Sequence, residues 1–251
     1  MERQQASVHP DDGAQRLRFA PWLPSLPSSG ERMEPDEVIA AWMKRFLGRR
    51  DGGAADAQAA QPDRAAALGG LGEALVAGVV RELGWPALRN VVLRERASSA
   101  ELDLLVRAPH CIVVLEVKTW SGFVDGTAGA EEWVRYGAGG REARAPNAVC
   151  QNRAHVGIVE RAIGERGVRV FGLVVSAGHA RYAERLRRHV VPLADLAAVL
   201  RVHAADVAPC RPASLDRAWA ILIRETDRSE VRREAHAAWV RSRRSNSTKC
   251  E

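Results

Sequence analysis

The chain has 251 residues, 46% of them hydrophobic, with a formal net charge of +6 and a pI near 9.7. That length allows a domain with a full core plus appendages, and the basic balance favours an anionic partner. No apolar run approaches membrane-spanning length, the N-terminal MERQQASVHPDDGAQ lacks the apolar centre of a signal peptide, and Cys111, Cys150, Cys210 and Cys250 do not have zinc-ligand spacing. The expectations are therefore a cytoplasmic location, reduced thiols and no membrane partner.

Residues 1–35 are polar and interrupted by Pro21, Pro24, Pro27 and Pro35, a composition for extended chain. Val38, Ile39, Trp42, Met43 and Phe46 then recur at helical spacing, predicting a short amphipathic helix over 35–47. The Ala- and Gly-rich stretch that follows, to Asp63, reads as a linker. From 64 to 83, Leu68, Leu71, Leu75, Val79 and Leu83 line one side of a helix that Gly84 stops. Glu73 lies in its middle, where periodicity alone reads it as a solvated glutamate. A first strand is expected over 88–94.

Residues 101–120, ELDLLVRAPHCIVVLEVKTW, hold two apolar runs of strand length separated by Ala108, Pro109 and His110, the pattern of a β-hairpin. With Arg107 opposite Ile112, an antiparallel register brings Asp103 opposite Glu116 and Glu101 opposite Lys118. Leu102, Leu104, Val106, Val113, Leu115 and Val117 then share one apolar face, and Asp103, Glu116 and Lys118 share the other. Two carboxylates facing each other on a half-buried strand repel unless one protonates or a cation lies between them. A divalent metal meets that need, since magnesium takes hard oxygen ligands and commonly only one or two carboxylates. Lys118, on the same face as Glu116, offers an ammonium to a phosphate oxygen or a metal-bound water. The pattern points to phosphodiester chemistry.

Beyond the hairpin, 123–136 suggests two short strands and 137–145 a flexible, Arg-bearing loop. Residues 147–163 read as a helix with Gln151 near its start, 168–176 as an interior strand, 190–193 as a short strand near an edge, and 195–200 as the beginning of another helix. Arg181, Arg185, Arg187, Arg188 and His189 form a basic cluster, readable as phosphate contact or as a solvated face. Residues 214–240 carry a broken apolar stripe through Leu215, Ala218, Trp219, Leu222 and Ile223, and end in Arg241, Arg243 and Arg244. No P-loop, dinucleotide fingerprint or nucleophile elbow is present.

Asp103, a hairpin turn, then Glu116-Val117-Lys118 resembles the PD-(D/E)XK nuclease motif, and the wider stretch resembles the nuclease-related domain (NERD) family. The supporting residues are Gly72-Glu73, Glu101-Leu102-Asp103, Glu116 to Trp120 followed by Gly122, Trp133, and Pro146-Asn147 ahead of Gln151. The resemblance implies an α/β fold with a restriction-endonuclease-like core, a mixed central β-sheet flanked by α-helices. Around it stand an N-terminal tail and helix (1–63), the nuclease domain (64–203) and a basic helical C-terminal extension (204–251). It also implies a magnesium- or manganese-dependent nuclease acting on nucleic acid, with DNA as the expected substrate and a helicase or other DNA-processing protein as an expected partner. Asp103 and Glu116 would be metal ligands, Glu73 an accessory carboxylate completing the metal site, Lys118 the group that orients or activates water, and Gln151 a polar residue near substrate. The alternative is a nucleic-acid-binding or protein-interaction module that keeps the fold and hardly cleaves.

The region before residue 64 offers little apolar surface beyond its one short helix. A chain beginning at Gln61 is therefore expected to retain a cooperative unfolding transition. Aggregation of that truncated chain would show that Trp42 and Phe46 belong to the core.

Overall fold

The computed structural model describes residues 61–95, 98–229 and 232. The tail, the 35–47 helix and most of the linker expected from the sequence lie outside the described residues, as do Arg241, Arg243 and Arg244. Helix α1, Gln61–Glu82, leads into strand β1, Ala87–Glu95. Gly84, at φ 72°, makes the turn between them, a left-handed conformation natural to glycine past a helix end. Strands β2, Ser98–Arg107, and β3, Cys111–Lys118, form the hairpin. Strands β4 (Phe123–Asp125), β5 (Glu132–Tyr136) and β6 (Glu142–Pro146) follow, and then helix α2, Ala148–Ile163. Next come β7 (Arg169–Ser176), β8 (Arg181–Tyr182), the single-turn helix α3 (Glu184–Arg187) and β9 (Val190–Pro192). Helices α4, Leu196–Asp206, and α5, Pro212–Asp227, close the described chain.

The strands form two mixed sheets, as the α/β expectation requires. The larger has the order β1-β2-β3-β7-β9, antiparallel through the first three strands and parallel from β3 onward. The smaller has the order β6-β5-β4-β8. The apolar composition of β3 and β7 follows from their interior positions, where both faces are covered. On one face, Val76 and Val80 of α1 and Leu196, Leu200 and Ala204 of α4 pack over Leu104, Val106, Val113 and Leu115. On the other, Ile158, Val159 and Ile163 of α2 and Leu215, Trp219 and Leu222 of α5 pack over Leu105, Ile112, Val114 and Val170. Helix α5, from the stretch expected as an extension, is thus a layer of this core. Just beyond α5, the hydroxyl of buried Ser229 accepts a hydrogen bond of 2.8 Å from the Val92 amide on edge strand β1.

The expected flexible loop at 137–145 is corrected by the structure. After a 3-10 turn over Ala138–Gly140, residues from Glu142 onward form β6 and pair with β5 from Tyr136↔Glu142 to Glu132↔Pro146. Polar composition hid a strand lying at the edge of the smaller sheet, where one side needs no apolar residues.

The hairpin register is the expected one, with Arg107 opposite Ile112 and Leu104 opposite Leu115. Its continuation differs. Asn90 of β1 adopts a left-handed φ of 52°, at the point where the β1–β2 register passes from Arg89↔Leu104 to Val91↔Leu102. Past that point both strands turn over. Ala87, Leu104 and Val106 belong to the α1/α4 side, whereas Val91, Leu93 and Leu102 belong to the α2/α5 side. Leu102 therefore leaves the face predicted for it, because strict alternation holds only while each residue keeps an extended backbone.

Gly72 lets α1 approach the far end of β3: a Cβ there would lie 2.2 Å from Cγ2 of Thr119 and 3.3 Å from Cβ of Ala177. Alanine in a helix interior gains roughly 1 kcal/mol over glycine, but overpacking costs about 1–3 kcal/mol. Gly72→Ala is thus expected to lower stability by about 1 kcal/mol net, and adding Thr119→Ser to recover it. Urea unfolding of the two variants checks this, and a stabilised Gly72→Ala protein would show that the helix has slack at this contact.

Candidate active site

The β2–β3 ladder stops at Leu104↔Leu115. Its parity, set by the Ala108 amide bonding to the Cys111 carbonyl at the turn, would pair the Val117 amide with the carbonyl of Leu102 if the ladder continued. Instead the Val117 amide donates to Oδ2 of Asp103 at 2.7 Å. The side-chain carboxylate fills the place of a backbone acceptor, and the hairpin opens around it.

Glu116 and Lys118 lie on the neighbouring strand, and α2 faces them. Lys118 Nζ donates to Oε1 of Glu116 at 2.6 Å and to Oε1 of Gln151 at 3.1 Å. Glu116 is almost wholly buried, at 1% exposure. Its second oxygen, Oε2, stands 3.2 Å from Nδ1 of His155, a polar contact that helps hold the carboxylate in its charged form. Lys118 also lies over the Trp120 ring, 5.5 Å from its centre.

Helix α2 is aimed by its N-cap. The Asn147 side-chain oxygen accepts from the amides of Val149 and Cys150 at 2.9 and 3.3 Å. The side-chain nitrogen of the same residue donates to the carbonyls of Thr127, Ala128 and Ala130. One buried side chain therefore fastens the first turn of α2 to the β4–β5 connection and satisfies amides that a helix start leaves open. Gln151 and His155, one turn apart, share the face turned to β3. Asn152 bonds the Val114 carbonyl at 3.2 Å, anchoring the same face.

Burial, and after it the charge of Glu116, pushes the Asp103 carboxyl up to about 7, while the Val117 amide opposes the rise without cancelling it. Burial acts on Glu116 in the same upward direction, but His155 and Lys118 outweigh it and hold that carboxyl below its ordinary range. Glu73 is raised by burial, with the charge of Glu101 adding to the rise and Arg89, 3.6 Å from it, opposing. Its charge is felt at Asp103. The two strand carboxylates are therefore pushed apart electrostatically: Glu116 ionised beside two nitrogen groups, Asp103 reluctant to ionise beside Glu116.

Of the residues expected from the sequence, Asp103, Glu116, Lys118 and Gln151 meet at one place, and Glu73 stands on the adjoining helix, engaged by Arg89. Among the described residues no group of three or more His, Cys, Asp or Glu is arranged to hold a metal ion. What the site offers is a pair of carboxylates whose like charges oppose each other, an opposition that a bound cation would relieve. An all-oxygen pair completed by water or phosphate oxygens suits magnesium or manganese, so the residues fit such an ion. Of the basic cluster, Arg185 is engaged by Asp125 and the Gly126 carbonyl, and Arg187 by Glu184. Sequence reasoning missed His155, which its four-residue spacing from Gln151 would have flagged, and the aromatic support of Lys118 by Trp120, which no local pattern signals.

Residues 68–177 match the family model described as nuclease-related domain, NERD. All five expected site residues fall within the match, and the two mixed sheets flanked by helices are consistent with a restriction-endonuclease-like fold. No curated protein matches the chain. Among the described residues no helix is long and apolar enough to cross a membrane.

The raised Asp103 pKa has a definite sign in stability. A carboxyl bound to its proton more tightly in the folded state contributes stability that is complete below its unfolded value of 3.8 and lost as pH rises towards about 7. The full loss is at most about 4 kcal/mol. In chelator, Asp103→Asn is therefore expected to unfold at higher temperature than wild type at about pH 8, with the advantage gone near pH 4. Parallel pH profiles for the two proteins would remove this account.

Proposed function

We propose that this chain, which carries a nuclease-related domain over residues 68–177, hydrolyses phosphodiester bonds in DNA with a divalent cation, magnesium or manganese, at Asp103, Glu116 and Lys118. The observation that carries the reading is the Asp103 carboxylate in the gap of the hairpin, beside Glu116 and Lys118. An acid there is costly to the fold, since burial and a like charge oppose its ionisation. A backbone carbonyl would have served the Val117 amide without that cost. Strained electrostatics of this kind are typical of sites that bind or react.

Asp103 and Glu116 would hold the cation, which supplies positive charge for the scissile phosphate and lowers the pKa of the attacking water. The protein's own groups do the positioning. The Val117 amide fixes the Asp103 carboxylate, and Lys118 and His155 flank Glu116 from two directions. Glu73 acts as an accessory carboxylate through its field at Asp103. The Lys118 ammonium, steered by Gln151, offers its positive charge to a non-bridging phosphate oxygen or to the attacking water as negative charge builds in the transition state. The chain has no nucleotide-binding loop of its own in the sequence, so duplex opening would come from a helicase or other DNA-processing partner.

A second reading, a nucleic-acid-binding module without turnover, draws on the Lys118–Glu116 ion pair at 2.6 Å, which engages one carboxylate oxygen. Cleavage assays on DNA and RNA with magnesium, manganese or chelator separate the two. The expected result is metal-dependent cleavage of DNA, lost with chelator. Asp103→Ala and Glu116→Ala should weaken both metal binding and rate, whereas Lys118→Ala should keep the metal and lose the rate by roughly a hundredfold or more, the scale of one electrostatic contact in a transition state. Nucleic-acid binding with no cleavage in any metal would favour the module.

A further inference from the structure

Strand β5 turns Trp133 and Arg135 to the same side, towards the C-terminal ends of β3 and β7. There the guanidinium of Arg135 lies 5.0 Å from the centre of the Trp120 ring, the same ring that carries Lys118 at 5.5 Å. Trp120 is itself braced edge-on by Trp133, 6.2 Å between centres, and Trp133 by Tyr182 at 6.4 Å. Two cations thus share one indole, and the strands hold the indole in place.

Their polar atoms are not equally satisfied. Lys118 bonds Glu116 and Gln151, but Nε of Arg135 is buried with no hydrogen-bond partner among the described residues. The hydroxyl of Tyr182, a residue 8% exposed, is buried close by with the Ser176 side chain as its neighbour. The two belong to one neighbourhood: Arg135 acts electrostatically on the Tyr182 hydroxyl, Ser176 is its hydrogen-bonding neighbour, and Ser176 pairs with Lys118 across the β3–β7 ladder. A stacked ring attracts the guanidinium's charge but accepts none of its in-plane N–H groups. Buried donors without an acceptor are uncommon, and a cationic one next to a hydroxyl suits an anionic oxygen.

The geometry points to Arg135, with the Tyr182 hydroxyl beside it, as a phosphate-binding site for the nucleic-acid strand that enters at Lys118. The inference rests on the nuclease reading for the identity of the strand, but its chemistry requires only a backbone phosphate. Trp120 holds the guanidinium in place and leaves its in-plane donors for the phosphate. Arg135 is therefore a substrate-binding residue outside the motif set.

The test is equilibrium binding of a short fluorescein-labelled single-stranded DNA to the full chain in chelator, read by anisotropy over a salt series. Arg135→Gln is expected to weaken binding about ten- to a hundredfold, the scale of one charge-assisted contact. It should also lower the slope of log affinity on log salt by about 0.7, one phosphate on a single strand. Arg135→Lys, which keeps a point charge, should recover the slope and part of the affinity, and Tyr182→Phe should weaken binding without changing the slope. Should Arg135→Gln fail to fold, displacement of the DNA from wild type and Arg135→Lys by inorganic phosphate carries the test, with weaker phosphate binding expected in the variant. Affinity and slope unchanged in Arg135→Gln, or equal phosphate binding in wild type and Arg135→Lys, would overturn the inference and leave Nε of Arg135 as a site for water. Cleavage by the same proteins keeps the readings distinct. Loss of the salt slope in Arg135→Gln with no wild-type cleavage in any metal counts against the nuclease alone, whereas unchanged kcat/KM in an active Arg135→Gln enzyme counts against this site alone.

Discussion

The hydrogen bond from the Val117 amide to the Asp103 carboxylate, 2.7 Å long, is the constraint on which the site depends. It arises because two strands cannot remain paired and also make room for a side chain between them. The hairpin keeps its ladder as far as Leu104 and Leu115 and then parts. From that point β2 continues along β1, while β3 continues along β7 through Lys118↔Ser176. The opening is therefore stabilised on both flanks by ladders that continue. An acid placed in an opening of this kind is rigid, partly dry and close to whatever lies on the next strand.

Glycine and asparagine set the backbone around the site. Gly72 brings α1 against Thr119, so that Glu73 stands beside the opened strands. Asn147 fastens α2 to three carbonyls of the β4–β5 connection while capping its first turn, which aims Gln151 and His155 at Lys118 and Glu116. Asn90 takes the left-handed backbone that allows β1 and β2 to turn over opposite Asp103. Each is a backbone problem solved by the residue type best suited to it. Together they support a cluster of charges that would otherwise be expensive to bury.

The smaller sheet has a distinct part in this arrangement. Strand β4 is short and β8 has two residues, yet Val124, Trp133 and Tyr182 join Ala148, Val174 and Val190 in a single apolar cluster. That cluster fixes Trp120 and Arg135 at the end of the parallel strands. Polar chemistry at the site is therefore backed by aromatic packing from a separate sheet, which explains why Lys118 has both a carboxylate and an indole as neighbours.

How much of this was legible follows from the range over which each interaction acts. Local alternation and turn chemistry determine the hairpin and its register, since Pro109 and His110 form the turn and a slip by one residue would mix apolar and charged faces. The order Asp103, Glu116, Lys118 marks the chemistry because acids and a lysine at those positions are not required by a buried sheet. Helical periodicity likewise determines α1 and α2 and the presence of Glu73 and Gln151 on them. Tertiary structure alone decides that the ladder opens at Asp103, that Leu102 crosses to the other face, and that residues from Glu142 form an edge strand. It also decides that His155 reaches Glu116 and that Arg135 reaches Trp120. These depend on a left-handed Asn90, on pairing with a partner strand, and on contacts across 39 residues between Glu116 and His155, none of which a local pattern encodes.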